Sequence, residues 1–220
     1  MTNEHIESLI DRLNSGGDLQ LMFLSALSNN VDFAKVWLQE PRGSLANERS
    51  YDFYFIKNES GTYVAAVLDM VNDLHVFVKQ EHRGNGYLTN AMHQVVFPHL
   101  YQNGRSVQRV TFVDEMISKY VENCWGFEID GEQQAAKSLS EYAGVAEIKP
   151  LRRKVTEREF KAIKNKIDRA GLYITMASEQ LESALGEEEG VGMRELARML
   201  LNLDDDVLDF IEEYQDRLAD

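Results

Sequence analysis

The stretch Leu74-His75-Val76-Phe77-Val78-Lys79-Gln80-Glu81-His82-Arg83-Gly84-Asn85-Gly86-Tyr87-Leu88 decides the fold. Its first five residues are apolar, β-branched or aromatic and read as a strand that ends at the polar run Lys79 to His82. After the two glycines, Leu88, Met92, Val95, Val96 and Leu100 fall on one side of a helix over 84–102, stopped by Asn103-Gly104, with Pro98 expected to kink it. A strand therefore runs through a glycine turn straight into a helix. Glycines let the backbone approach a ligand closely, and the unpaired amides of a first helical turn, aided by the helix dipole, point at an anion. Gly-x-Gly also occurs in ordinary strand-to-helix turns, so the motif needs context. A dinucleotide fingerprint is excluded, because position 89 is Thr where a third glycine belongs, and the Gly-Lys-Ser/Thr of an NTPase phosphate loop is absent.

Upstream, Tyr51 to Ile56, the turn residues Lys57-Asn58-Glu59-Ser60-Gly61 and the apolar Thr62 to Met70 read as a hairpin, and Val71-Asn72-Asp73 turns the chain into the strand at Leu74. Ile6, Leu9, Ile10 and Leu13 form the stripe of a helix over 3–14 that stops at Ser15-Gly16-Gly17. The segments 19–27 and 31–38 are ambiguous on pattern and are taken as helices, the second broken by Pro41-Arg42-Gly43. Downstream, Val107 to Val113 reads as a strand, Glu115 to Cys124 as a short helix, Gly126 to Ile129 as the opening of another strand, and Ala143 to Leu151 as the strand that closes the sheet.

Beyond residue 151 every signal is helical. Thr156-Glu157-Arg158-Glu159 is a capping box, and helices are expected near 157–169, 172–186, 192–202 and 205–218, parted at Gly171, at 186–190 and at Leu203-Asp204. Residues 151–170 carry eight basic side chains against three acidic, and 171–220 three arginines against fourteen acids. Two solvated helix faces account for this, while attraction between the two parts, or to a second copy, is the alternative. The expected class is α/β (α+β): a mixed, mostly antiparallel central sheet flanked by helices, plus a C-terminal all-helical extension. The expected domains are 1–155, with 1–50 as a helical N-terminal part, and 156–220.

Among 220 residues, 44% are hydrophobic and only 3 are proline, which describes a chain able to bury a core and excludes collagen and long disorder. The net charge of −14 repels phosphate backbones and anionic lipid surfaces, so nucleic acid and membranes are not expected partners and a cationic, amine-bearing one is. The single Cys124 cannot form an intramolecular disulfide and reads as a buried structural thiol; together with the absence of a leader pattern this gives the expectation of a cytoplasmic protein. His5, His75, His82, His93 and His99 have no metal-site spacing with carboxylate or cysteine ligands, and no metal is expected.

Glu81-His82-Arg83-Gly84-Asn85-Gly86 resembles the loop of the GNAT superfamily of acyl-CoA-dependent N-acetyltransferases, whose central strand ends in Gln/Arg-x-x-Gly-x-Gly/Ala and opens a helix. Val110-Thr111-Phe112-Val113, a short helix, and Trp125-Gly126-Phe127-Glu128 are similar to the strand, helix and Gly-Phe order that follows in that family, so the resemblance covers roughly residues 50–155. Glu81 replaces the family's Gln or Arg, and Leu88 stands where many members carry a small residue.

The resemblance implies transfer of an acetyl group from acetyl-CoA to a primary amine. The pyrophosphate would lie on the backbone amides of Arg83, Gly84, Asn85, Gly86, Tyr87 and Leu88, and the pantetheine arm would pair with backbone groups around Phe77 and Val78. An alkyl amine with a pKa near ~10.4 is about 99.9% protonated at neutral pH, so such a reaction needs a general base, a donor for the developing oxyanion and an acid for the thiolate. Asp73 and His75 are the candidates for the base, with Glu81 and His82 nearby; His75 is preferred because its pKa needs little shift. The family's acidic tyrosine falls on Glu122 here, while Tyr120 lies two residues earlier, about 200° around a helix, and Glu115 replaces a frequent asparagine. These departures support a second reading, a catalytically degenerate GNAT-like module that binds or assembles through the tail stripe Leu196, Met199, Leu200, Leu203, Val207, Leu208, Phe210 and Ile211, as a homodimer or with another protein.

Overall fold

The structure, a computed structural model, describes residues 1–17, 21–39, 50–186 and 192–200, together with 202, 209 and 213. They divide into two compact units, the first comprising Met1–Gly17 and Leu21–Leu151, the second beginning at Arg152. The class is mixed α+β, with a five-stranded antiparallel sheet flanked by helices and a long C-terminal helix.

In the first unit, helix α1 (Asn3–Asn14) is capped by Thr2, and its stripe Ile6, Leu9, Ile10 and Leu13 is buried. Strands β1 (Met22–Ala26), β2 (Val31–Val36), β3 (Tyr51–Lys57), β4 (Tyr63–Asp69) and β5 (Leu74–Val78) form a meander in sequence order, every pair antiparallel. The helices expected over 19–27 and 31–38 are thus, in their described part, strands. Ser28 closes a tight turn by accepting the N–H groups of Asn30 and Val31 on its hydroxyl, which sends β2 back along β1. Burial alternates along β2, with Asp32, Ala34 and Val36 buried on one face and Phe33 and Lys35 half-buried on the other, but the charged Asp32 on the buried face and the aromatic Phe33 opposite blur the apolar–polar alternation in the sequence. The Pro41-Arg42-Gly43 break lies outside the described residues.

Side chains alternate across this sheet. Tyr54, Ile56, Ala65, Val67 and Leu74 join Leu88, Met92, Val95, Val96, Phe97 and Leu100 in one core. Phe53, Phe55, Ala66 and Leu68 are buried on the opposite face, which α1 covers, and Asn14 there exchanges two 2.8 Å hydrogen bonds with the backbone of Tyr63. Asp32 is buried on this face, where it accepts from Lys57 Nζ at 3.0 Å and the Tyr63 hydroxyl at 2.5 Å, so its charge is paired.

The helix expected over 84–102 begins at Tyr87, since Gly84 and Gly86 both have positive φ. It runs as α2 (Tyr87–Ala91), a π turn (Met92–Val96) and α3 (Phe97–Gln102). Pro98 is placed directly after the π turn, where the widened backbone accommodates the ring and the missing N–H. Strand β6 (Val107–Thr111) follows, then helix α4 (Glu115–Trp125), capped by Asp114 and ended by Gly126 in the left-handed region. Strands β7 (Glu128–Ile129) and β8 (Gln134–Ser138) form a second sheet in the order β6-β8-β7. The segment 143–151 forms no strand. Instead Gln102 donates to the carbonyl of Ala146 and accepts from Ile148 N–H, and β8 takes the pairing place that the sequence reading gave to 143–151.

In the second unit a single helix α5 (Glu157–Leu185) replaces the two expected over 157–169 and 172–186. Gly171 lies buried inside it; a glycine weakens a helix interior by about 1 kcal/mol but does not end it. The capping box at Thr156 and Glu159 is formed, and Arg153 pairs with the same carboxylate. Burial alone would raise the Glu159 pKa, but Arg153 and Thr156 hold it down to about 2. Residues 192–200 are helical, and Arg194 there bonds Glu182 of α5 at 2.8 Å. The helix expected over 205–218 lies, apart from two residues, outside the described ones.

Two expectations concern stability. The β4–β5 turn holds Val71 at φ 70, at the centre of a γ-turn closed by Asn72 N–H to the Met70 carbonyl at 2.9 Å, with Met70 N–H to the Asp73 carbonyl at 3.0 Å behind it. The left-handed region costs a β-branched residue ~1–2 kcal/mol, and the side chain is 66% exposed, so Val71→Gly should stabilise by about 1 kcal/mol and raise Tm by about 2–4 °C. An unchanged or lower Tm would show that the side chain makes a contact that outweighs the strain.

The second concerns His99, whose Nδ1 accepts the Tyr54 hydroxyl at 2.9 Å. Burial lowers its pKa, with the Asp69 charge acting the other way. A histidine held neutral in the fold binds its proton more readily when unfolded, so its contribution is fully present above about pH 6.5 and is lost as pH falls below that value toward the folded pKa. Urea midpoints should therefore drop on acidification from neutrality more steeply in the wild type than in His99→Gln; equal slopes would contradict this.

Candidate functional site

The approach to the site is built by β5. Lys79 N–H donates to the Val64 carbonyl and Met70 N–H to that of Asp73, which fixes the ladder phase: His75 and Phe77 turn their backbone groups to β4, and Leu74, Val76 and Val78 turn theirs outward. Among the described residues no strand pairs with this outer edge. Strand β6 meets it only at one end, where the Asp73 carboxylate accepts Leu74 N–H at 2.8 Å, Thr111 N–H at 3.0 Å and the Thr111 hydroxyl. Strand β6 ends at that clamp, and among the described residues no ladder partner faces the outward backbone groups of Val76 and Val78, which leaves a slot along them. Of the two residues that the sequence reading singled out here, Val78 turns its backbone groups outward and Phe77 turns its own to β4. The outward phase of Val76 was not legible in the sequence because ladder phase depends on the β4–β5 turn.

At the far end of the slot a short turn (Gln80–His82) leads to Arg83, whose Nε donates to the Val78 carbonyl at 3.2 Å. Gly84 and Gly86 then turn the backbone at φ 78 and φ 79. Among the described residues, the N–H groups of Gly84, Asn85, Gly86, Tyr87 and Leu88 have no acceptor, and no side chain caps α2. A Cβ on Gly84 would meet nothing within 4 Å, so the surface over these amides is open. A row of unsatisfied donors at the positive end of a helix, beside an open strand edge, suits an anion that carries an extended amide-bearing arm.

The candidate catalytic side chains are not gathered at one point. His75 lies on the α1 face, with its Nε2–H donating to Asn3 Oδ1 at 2.8 Å, which leaves Nδ1 as the acceptor nitrogen. Asp73 accepts the three donors of the clamp, two on Oδ1 and one on Oδ2. Tyr120, on the opposite face from His75, hydrogen-bonds Thr89 at 2.7 Å and sets its ring against Trp125 at 5.4 Å between centroids. Glu122 is exposed, two residues farther along an unbroken α4, so it points away from Tyr120, as the helical offset anticipates. Cys124 is half-buried, and its carbonyl accepts His93 Nε2–H at 2.7 Å. His93 Nδ1 accepts the Tyr142 hydroxyl at 3.1 Å. Thr89 with Tyr120, and His93 with Cys124, make two rungs one turn apart that tie the glycine-started helix to α4. The sequence reading found neither rung, because a hydrogen bond between two helices depends on how they pack and not on the spacing within either. Among the described residues no group of three His, Cys, Asp or Glu side chains is placed to hold a metal ion, and no described helix is long and apolar enough to cross a membrane.

No family model and no curated protein matches the sequence. Among solved structures the chain is similar to a chimera of the spermidine N-acetyltransferase SpeG from Vibrio cholerae with hSSAT, at TM-score 0.37 and 11% identity, over 43% of this chain and 70% of that one. It is similar also to mutant forms of the spermidine/spermine N-acetyltransferase SpeG from Vibrio cholerae, at TM-score 0.40 and 11% identity, over 67% of this chain and 96% of that one.

Proposed function

We propose that the protein is an N-acetyltransferase that binds acetyl-CoA and acetylates a primary amine. The observation that carries this reading is the run of unsatisfied amides from Gly84 to Leu88 in line with the open outer edge of β5. The amides would hold the diphosphate, and Val76 and Val78 would pair with the amides of the pantetheine arm, Arg83 leaving the Val78 carbonyl to meet the diphosphate charge. When bound, the coenzyme supplies an activated thioester. Five strand residues span about 16 Å, which places the reacting end near the Asp73–Thr111 clamp. His75 is the proposed base, its tautomer set by Asn3, with the proton passed to Nδ1 directly or through water. The acidity of the chain favours cationic acceptors.

Tyr120 sits at the diphosphate end, one helical turn from the glycine loop, and so acts as a positioning residue for α2 and not as the acid. Tyr120→Phe should raise KM for acetyl-CoA by about three- to tenfold, the worth of one neutral hydrogen bond, and leave kcat within about twofold. A fall in kcat with KM unchanged would restore the role of acid.

Calorimetry with acetyl-CoA, followed by thiol release over a panel of primary amines that includes polyamines and lysine peptides, tests the assignment. Failure to bind acetyl-CoA sinks it. Binding without turnover on any amine supports the second reading, a module that has kept the acyl-CoA site, which the engagement of Tyr120 by Thr89 and the exposure of Glu122 favour.

A further inference from the structure

Helix α5 carries two seams on opposite sides. One runs through Phe160, Ile167, Gly171, Ile174 and Ser178, whose steps of three, four or seven residues set them on a single side of the helix. It is turned inward: Gly171 and Ser178 are buried, and the other three are half-buried. The second seam runs through Asn165, Arg169, Leu172, Met176, Glu179 and Ser183, in alternating steps of four and three, the heptad spacing by which one helix meets another. It is turned outward. Leu172, Met176 and, beside them, Tyr173 leave 57, 55 and 58% of their surface exposed, which puts three large apolar side chains together near the middle of a helix about 43 Å long. We propose that this outer seam is the interface of a homodimer, in which α5 of a second copy lies antiparallel upon it.

The order of charges along α5 selects both the partner and its direction. Residues 157–170 hold five basic side chains against three acidic, and residues 171–185 hold two acidic and none basic. A second copy laid parallel would set like charge against like, whereas one laid antiparallel rests each basic half on the acidic half of the other. Another protein would need its own matching run of charge. A second copy has it by symmetry, because a two-fold interface asks only that one surface be complementary to itself.

The register follows from the apolar centre. With the two-fold axis beside Ile174, midway between Leu172 and Met176, Leu172 of each copy meets Met176 of the other, Arg169 meets Glu179, and Asn165 meets Ser183. Every layer of the seam is then apolar on apolar, cation on anion, or polar on polar. Tyr173, whose hydroxyl accepts from Arg169 at 3.5 Å, widens the apolar centre along the axis. The inference concerns the second unit alone and is independent of the acyl-CoA reading.

The test is sedimentation equilibrium of the full chain, the wild type beside Leu172→Lys, Arg169→Glu, Glu179→Arg and the double variant Arg169→Glu/Glu179→Arg, with circular dichroism on each to confirm that the helices form. At about 100 μM the wild type should sediment at twice the mass of the chain. Leu172→Lys places a charge in the apolar centre once from each copy and should weaken the dimer by about a hundredfold or more. Each single reversal sets like charges together in two symmetric layers and should weaken it by about tenfold. Within one helix Arg169 and Glu179 stand ten residues apart, about 15 Å, so the double variant restores opposite signs only across the interface, and its dimer should return to within about threefold of the wild type. That rescue holds the test whatever Leu172→Lys does to folding. A wild type that is monomeric at every concentration, a dimer that Leu172→Lys leaves intact, or single reversals that have no effect or are not rescued in the double variant overturns the proposal.

Discussion

Replacing Gly86 by aspartate should abolish acetyl-CoA binding and leave the protein folded. The added carboxylate would stand at the mouth of α2, among the amides of Gly84 to Leu88, where the diphosphate is proposed to lie. Two like unit charges about 4 Å apart repel by about 4 kcal/mol at an effective dielectric near 20, so the loss in affinity should be about a thousandfold or more. The fold has little reason to object. A Cβ at Gly86 would meet only the side-chain nitrogen of Asn90, at an ordinary 3.8 Å. The left-handed backbone costs ~1–2 kcal/mol, somewhat less for aspartate, and a negative charge at a helix N-terminus returns ~0.3–1 kcal/mol. With about 2–4 °C per kcal/mol for a chain of this size, Tm should fall by less than about 7 °C. Calorimetry and a melting curve on the same preparation check both halves. If stability collapses together with affinity, the glycine serves architecture and not a ligand.

The largest loss of stability should come from Phe97→Ala. Phe97 is fully buried at the start of α3, with the rings of His93, Phe127, Tyr142 and Trp125 at 5.8, 5.8, 6.1 and 6.3 Å, and with the Lys137 ammonium 5.8 Å from its centroid. It is the point at which the glycine-started helix meets α4 and the second sheet. Truncating a buried phenylalanine costs about 3–5 kcal/mol, here a fall in Tm of about 6–20 °C. Phe97 lies ten residues along the helix from Tyr87, about 15 Å, so the folded fraction should still bind acetyl-CoA with nearly wild-type affinity. Urea denaturation measures the first effect and calorimetry well below Tm the second. A loss under about 1 kcal/mol would mean that the aromatic cluster does not hold the two halves of the unit together.

What the sequence made legible was local and chemically forced. Gly84 and Gly86 mark a turn because both take the left-handed backbone, and the stripe Ile6, Leu9, Ile10 and Leu13 announces α1 because one covered face needs apolar residues at helical spacing. The hairpin from Tyr51 to Asp69 was equally open. What stayed hidden depends on partners distant in sequence. Val31 to Val36 fits either a helix or a strand, and only pairing with β3 decides it. Gln134 to Ser138 looks polar, yet it is the middle strand of the second sheet, its Ala135 and Lys137 buried by neighbours. In the site, the glycine turn could be read but the phase of β5 could not, so Phe77 stood in for Val76. The sequence also set Asp73 and His75 side by side as bases. Alternation in the strand, the donors of Thr111 and the accepting Oδ1 of Asn3 set them apart, a clamp for one and an oriented imidazole for the other.

The most direct test of the central claim is an amide-resolved NMR titration of the ¹⁵N-labelled protein with coenzyme A. The amides of Gly84, Asn85, Gly86, Tyr87 and Leu88 should shift most, together with those of Val76 and Val78, while His75 and Phe77, whose N–H groups face β4, move little. Saturable shifts that spare residues 84–88, or no shifts at all, would contradict the account.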